Sequence, residues 1–336
     1  MIEERHITLA HGNGGRRMRE LIGEIFARHL ANPSLDVHLD AAPVVLTPDM
    51  VPVITTDAFT VQPLEFPGGD IGSLAVNGTV NDLAVSGAVP RYLTLNTIIE
   101  EGLSVECLDR MVRSFGAAAK ATRVEVVAGD TKVVPRGQGG GLYLATTGLG
   151  LRDRGCRLGL DSIRAGDMVL VSGPVGDHGI AVLLAREEFD LSGNVLSDCA
   201  AVTPLTVPLA AMEGVRFMRD PTRGGLATVA HEIAQATSRD VCLRETQVPV
   251  RESVRSVCKM LGYDPYYLAC EGRVVAVAAP ETADKVLALW RTIHGAEEAS
   301  VVGTICHGRG RVILETEIGG ERFLEELEDD PLPRIC

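Results

Sequence analysis

The sequence predicts an α+β protein built from two domains, and three observations carry that expectation. Strand-like and helix-like segments alternate along the chain, the pattern of mixed layers packed around a shared core. The 336 residues, 46% hydrophobic and 23% charged, can bury a full core, and at roughly 100–200 residues per domain they suffice for two. Residues 151–167, LRDRGCRLGLDSIRAGD, carry four arginines and three glycines with no apolar period. That break puts the expected domains at 1–153 and 154–330, with 331–336 as a mobile tail.

The elements follow in order. Apolar residues at 18, 21, 22, 25 and 26 recur at helical spacing, so the glycine-rich HGNGG of His11 to Gly15 leads into a helix over 16–30. Proline-bounded VPVITTD is a strand ending at Asp57. A helix from Asp70 to about Val85 follows Gly68 and Gly69, with Asp70 as its cap and Ala75, Gly78 and Ala84 permitting close packing. Residues 91–99 read as a strand. Ser104 caps a helix that puts Leu108, Met111, Val112 and Phe115 on one face, and Val124 to Ala128 is a buried strand running into GDTK. LYLATTG closes the first half. In the second half DMVLVSG, 274–279, 301–305 and 312–315 read as strands, and 178–187, 224–236 and 282–293 as helices. Phe323, Leu324 and Leu327 predict a last helix over 320–330, stopped by Pro331 and Pro333.

Lys+Arg 32 against Asp+Glu 45 gives a formal net charge of -13, which opposes attraction to a phosphate backbone or an anionic membrane. No apolar run approaches the roughly 18 residues of a spanning helix, and MIEERHITLAHGN lacks a secretory apolar region. The expectation is a cytoplasmic protein with neither nucleic-acid nor membrane partners. The 8 cysteines show no CxxC pair and no zinc spacing, so seven are expected to be ordinary thiols. Cys336 is different. It stands at the end of PLPRIC, whose two prolines stiffen six residues toward polyproline II and a reach of roughly 20 Å. Such a tail could carry a thiol between sites, although a chain end ordinarily frays.

Asp57, Asp70, Asp82 and Asp130 stand beside glycine or at strand ends, where carboxylates can hold a hard divalent cation. Cap chemistry accounts for Asp70. Asp82 lies inside a predicted helix on a stripe with Asn77, Gly78 and Asn81, either as a site or as a solvated face. Lys132 points the same way as Asp130 on an extended backbone, forming an anion clamp or a surface salt bridge. Arg223, in DPTRGG, precedes a helix start that favours an anion, or completes an ordinary cap. Neither a Walker A motif nor GxGxxG is present, so a nucleotide would need another cradle.

HGNGG, TTDAF, FPGGDIGSLAVNGTVNDLAVSGAVP, AGDTKV, SGPVGDHG, RDPTRGGLATV and PRIC, spread from His11 to Cys336, together resemble the HypE family of hydrogenase-maturation carbamoyl dehydratases. That family lies within the superfamily of aminoimidazole ribonucleotide (AIR) synthetase and selenophosphate synthetase. TTDA, NDLA and GDTK are superfamily-wide, whereas PRIC is specific to the family; Asn13 interrupts a run that is often all glycine. The resemblance implies a PurM-like (AIR synthetase-like) fold, whose N-terminal sheet pairs across a homodimer and whose C-terminal half is an α/β sandwich. An ATP site is implied in the cleft between the domains, near the dimer interface.

The implied reaction is ATP-dependent dehydration of an S-carbamoyl group on Cys336 to a thiocyanate, the cyanide donor for the iron of nickel–iron hydrogenases. A carbamoyltransferase would load the thiol, and an iron-carrying scaffold complex of the HypC–HypD type would accept the product. Carried onto the matching positions, Asp57, Asp82 and Asp130 hold Mg²⁺ and ATP, and Asn81, Thr131, Gly14, Gly15 and Arg223 join the nucleotide site. Lys132 orients the carbamoyl group or the γ-phosphate. Glu271, in LACEGR, takes the N–H protons, against a plainer role as a loop carboxylate paired with Arg273. Two alternatives stand beside this. One is a selenophosphate synthetase-like enzyme, whose reactive Cys near the glycine loop is missing here, the first cysteine being Cys107. The other is a non-catalytic carrier docking through the terminal helix.

Overall fold

The structure, a computed structural model, describes residues 4–37, 39, 41–186, 193–328 and 335. After a 3-10 turn at Leu9–Gly12, the first helix runs as α1 (Arg16–Leu21), a π-helical stretch Ile22–Ala27 and α2 (Arg28–Leu30). Its apolar spacing buries Leu21, Ile25, Phe26 and Leu30. Then follow β1 (Met50–Phe59), the short pair β2 (Glu65–Phe66) and β3 (Gly69–Asp70), α3 (Ile71–Val85), β4 (Ala88–Glu100), α4 (Val105–Thr122), β5 (Glu125–Val134) and β6 (Leu142–Asp153). Asp70 caps α3, accepting from the N–H of Gly72 at 2.8 Å and of Ser73 at 2.9 Å. Ser104 caps α4 as expected.

Helix α3 is buried on nearly every side, which is why it shows no amphipathic period. Glycine makes that possible: a Cβ on Gly72 would lie 2.1 Å from the Met111 carbonyl oxygen, and one on Gly78 2.8 Å from the Phe59 ring. The N-terminal sheet has the order β1-β6-β4-β5, antiparallel except for β4 with β5. Helices α3 and α4 cover one face. The opposite face is open, and exposes Ile54 to 71%, Val89 and Ile98.

The second half comprises β7 (Met168–Val171), α5 (Asp177–Ala185), α6 (Thr203–Ala210), β8 (Val215–Arg219), α7 (Gly225–Thr237), β9 (Asp240–Arg244), α8 (Glu252–Leu261), β10 (Val275–Ala278), α9 (Pro280–Trp290), β11 (Ser300–Cys306), β12 (Val312–Glu315) and β13 (Glu321–Phe323). Its sheet runs β13-β12-β9-β11-β7-β10-β8. The central strands β7 and β10 are apolar on both faces. Val169, Val171, Val275 and Val277 meet Leu226 and Ile233 of α7, while Leu170, Ala276 and Ala278 meet Val286 and Trp290 of α9. This is the layered arrangement expected. The two halves also share a core, because Ile180, Leu183, Val254 and Leu268 cluster with Phe66, Ile71 and Leu74.

One expectation fails clearly. The segment expected as a helix over 320–330 is instead strand β13 followed by coil through 328, residues 329 and 330 lying outside the described set. The reason is a hairpin. Gly319 takes φ +81° and the Thr316 N–H reaches the Gly320 carbonyl at 2.7 Å, so the chain returns onto β12 and its backbone groups are used there. Leu324 is then buried, while Phe323 packs outside against the Arg311 guanidinium at 5.4 Å.

Candidate functional site

Strand β1, helix α3, the loop after β8 and the loop before β10 converge on one cleft. Asp57, Asp82, Asp220, Arg223 and Glu271 line it, with Gly78 and Thr222, around a volume of about 50 Å³. Asp57 Oδ2 accepts from the Thr79 hydroxyl at 3.0 Å, and Asp82 Oδ2 from the Thr55 hydroxyl at 2.7 Å. Burial and the neighbouring Asp82 raise the Asp57 pKa, which Thr79 and Arg223 pull back. Burial, then Asp82, push Asp220 up to about 7. Carboxylates this close repel one another and favour a cation between them. Sequence reasoning missed Asp220, although it stands in the same RDPTRGG motif that drew attention to Arg223.

The donor set is oxygen only, which fits Mg²⁺. Among the described residues no three His, Cys, Asp or Glu side chains form a ready-made metal cage. Mg²⁺ needs none, since it keeps waters and phosphate oxygens around one or two carboxylates.

Asp130 and Lys132 do not enter this cleft. Along one row of the sheet Asp57 pairs with Thr146, Thr146 with Leu95, and Leu95 with Gly129. Side chains alternate along a strand, so Asp130, opposite Asn96, projects from the other face. The expected trio Asp57, Asp82 and Asp130 is therefore not assembled within one protomer. Lys132 shares the open face with Asp130, as expected from their spacing, and both are exposed. Thr131 alternates back and is buried, its N–H held by the Asp130 carboxylate at 2.8 Å. The glycine loop packs on the same strand: a Cβ on Gly12 would lie 2.8 Å from the Val133 N. Gly14 takes φ +78°, a left-handed conformation suited to glycine, and Gly15 is the residue before α1.

Asn81, expected in the nucleotide site, bonds across the two halves. Its amide donates to the carbonyls of Ala200 at 3.0 Å and Glu271 at 3.2 Å, and its Oδ1 accepts from the Val202 N–H at 2.8 Å. With its amide bonded to three backbone groups, Asn81 joins the two halves. Glu271 is 2% exposed and is fixed through its backbone, since Asp198 accepts from the N–H of Glu271 at 3.1 Å and of Gly272 at 3.3 Å. The plainer alternative for Glu271, a pairing with Arg273, does not form. That guanidinium lies 3.3 Å from Asp198 and 3.4 Å from Asp177.

Cysteines 107, 156, 199, 242, 258, 270 and 306 are all free. Burial pushes the Cys199 thiol up to about 12 and Cys258 to about 11, so both stay protonated and unreactive. Cys336, Pro331 and Pro333 lie outside the described residues. Their neighbour Ile335 is 3% exposed and belongs to the core cluster of Ile180 and Leu268.

Two α+β halves framing an acidic cleft define the class. Residues 38–152 match the family model of the AIR synthase related protein N-terminal domain and 164–315 that of its C-terminal domain, so this is an AIR synthase related protein. The chain is 44% identical over 332 residues to the carbamoyl dehydratase HypE of Azotobacter vinelandii, covering 98% of this chain and 97% of that one. A crystal structure of the hydrogenase maturation protein HypE in complex with ATP superposes with a TM-score of 0.93 at 43% identity, covering 98% of this chain and 99% of the other. The HypE–HypF complex superposes at 0.80 and 40% identity, over 91% and 99%. The chain belongs to the HypE family of carbamoyl dehydratases.

Proposed function

We propose that the chain dehydrates a carbamoyl group carried on the Cys336 thiol, using ATP, to give a thiocyanate for hydrogenase maturation. The observation that carries this is the cleft in which Asp57, Asp82 and Asp220 face Arg223 and the buried Glu271. The three aspartates and a guanidinium suit a metal-bound polyphosphate, and a buried carboxylate beside them suits proton removal.

An amide oxygen leaves poorly. In this reading the carbamoyl oxygen attacks the γ-phosphorus of ATP and ADP departs, so that the later C–O cleavage releases phosphate instead of hydroxide. Glu271 takes one N–H proton, the second leaves with the phosphate, and the C≡N bond forms. Lys132 holds the carbamoyl oxygen and γ-phosphate together while negative charge builds between them. Asp57 and Asp82 would hold Mg²⁺, which neutralises phosphate charge when bound.

Because Asp130 and Lys132 lie on the open sheet face, they join such a cleft only from a second copy of the chain. The apolar residues Ile54, Val89 and Ile98 exposed on that face support the homodimer, with residues 1–153 as its dimerisation domain and 154–330 as the second domain. A carbamoyltransferase is the partner that loads Cys336, and a HypC–HypD-type scaffold the acceptor. Among the described residues no helix is long and apolar enough to cross a membrane, and with free thiols throughout them this supports a cytoplasmic site of action.

The test is mass spectrometry of the peptide ending in Cys336 after carbamoylation and incubation with Mg²⁺ and ATP. Loss of one water at Cys336, abolished in Lys132→Ala and Glu271→Ala, is the expected result. The same loss from a Cys336→Ala chain overturns the reading; unaffected dehydration in both site variants removes Lys132 and Glu271 from the chemistry, and a carbamoylated parent chain that loses no water with Mg²⁺ and ATP is a carrier only.

A further inference from the structure

His178, the second residue of α5, is 0% exposed, yet none of the chemistry above uses it. Its Nε2 lies 2.8 Å from the carbonyl oxygen of Ile335. A carbonyl only accepts, so Nε2 carries the proton. Its Nδ1 lies 2.8 Å from the Ser197 hydroxyl, and burial lowers the imidazole pKa, so the ring is neutral and Nδ1 accepts. Ser197 Oγ in turn accepts from the Cys199 N–H at 3.0 Å. The direction of every bond is thereby fixed: Cys199 N–H to Ser197, Ser197 O–H to His178, His178 N–H to Ile335. The ring is held edge-on by Phe66, with centroids 5.3 Å apart at 88°.

Segment 197–199 ties this chain of bonds to the cleft. Ser197 faces His178, while Asp198, the next residue, holds the N–H groups of Glu271 and Gly272 and lies 3.3 Å from Arg273 Nε. Cys199 reaches the Asn77 amide of α3 at 3.6 Å. Two successive side chains thus address the carbonyl next to Cys336 and the backbone of Glu271. The N-terminal half closes the arrangement, since the Ser197 N–H reaches the Pro67 carbonyl at 2.8 Å and a Cβ on Gly68 would lie 2.7 Å from the Ser197 backbone.

We infer that His178 is a positioning residue for the dehydration, a neutral hydrogen-bond donor that docks the C-terminal tail by the Ile335 carbonyl in register with Glu271. Docking itself is independent of turnover; its bearing on catalysis rests on the function proposed above. Among the described residues, the buried Ile335 side chain and the bond from Nε2 hold the tail. Loss of either releases the tail toward a transferase and away from the cleft.

The test is the rate at which iodoacetamide alkylates Cys336 in the full chain, followed by peptide mass spectrometry with Cys258 and Cys270 as internal reporters of the fold. A thiol measurement needs no catalysis, so it separates failure of docking from failure of the proposed reaction. His178→Ala is expected to speed alkylation of Cys336 by about tenfold, the worth of one buried hydrogen bond, with Cys258 and Cys270 still protected. His178→Gln, whose side-chain amide can donate to the same carbonyl, restores slow labelling. His178→Ala slows single-turnover dehydration of carbamoylated protein, while loading of the free thiol by the transferase quickens, a split that general destabilisation would not produce. Unchanged labelling of Cys336 in His178→Ala overturns the inference. Should that variant expose Cys258, Ile335→Ala and Ser197→Ala, which keep the imidazole in place, decide instead: Cys336 labelling at the parent rate in both overturns it.

Discussion

Replacing Asn81 by Ala separates the part the structure gives this residue from the nucleotide contact its place in NGTVNDLA suggests. The substitution removes three hydrogen bonds, to the carbonyls of Ala200 and Glu271 and from the N–H of Val202, at 3.0, 3.2 and 2.8 Å. Each is worth about 1 kcal/mol net, so the loss should come to about 3 kcal/mol. Unfolding entropy of about 2.1 cal/mol/K per residue over a chain of this length converts that loss to a fall of about 4 °C in Tm. Asn81→Asp should fare worse, because a carboxylate keeps the bond from Val202 but sets negative charge against two carbonyl oxygens. The assay is calorimetric unfolding paired with titration of ATP into the folded chain. A lowered Tm with ATP affinity kept within about twofold fits a clamp between the halves. Unchanged Tm with lost ATP binding would refute the reasoning and return Asn81 to the nucleotide.

Three further outcomes are expected. In the proposed homodimer, mixing refolded Asp82→Asn with Lys132→Ala should recover about a quarter of the parent dehydration rate, since random pairing gives half heterodimers with one intact site of two; no recovery would mean that both residues act within one protomer. Gly272→Ala would put a Cβ 1.8 Å from the Asp198 carbonyl oxygen, so thermal unfolding should show a loss of about 1–3 kcal/mol and the displaced Glu271 should dehydrate more slowly. For Asp240, burial pushes upward, but the Arg311 guanidinium and the N–H groups of Arg311 and Arg309 overcome it and hold the carboxyl at about 2. A depressed carboxyl stabilises the fold above its ordinary 3.8 and loses that contribution as pH falls toward 2, so acid titration should narrow the stability gap between the parent and Asp240→Asn over that window.

Local chemistry made much of this legible in one dimension. Asp70 and Ser104 are caps because a short polar side chain before an apolar period satisfies free N–H groups, and both caps form as read. The apolar runs that became β7 and β10 are buried on both faces because no polar residue interrupts them. Asp130 and Lys132 share a face because alternation is a property of any extended chain. Harder cases were those in which a partner distant in sequence decides. Phe323, Leu324 and Leu327 fit a helix until the turn at Gly319 lays them beside β12, where sheet bonds claim the backbone.

From its sequence alone the chain has its two-domain α+β architecture, its family, its acidic surface and the motifs that hold the candidate site. The tertiary structure decided how those motifs divide. Register across four strands sends Asp57 and Asp130 to opposite faces, packing of the two halves turns Asn81 into a clamp, and Asp220 enters the site from the strand end beside it. It also placed His178, Ser197 and Ile335 together, residues separated in sequence by 19 and 157 positions from the histidine. A sequence records which groups can donate, accept or carry charge; which of them meet depends on strand register and on the burial that aligns two cores, and no short motif encodes either.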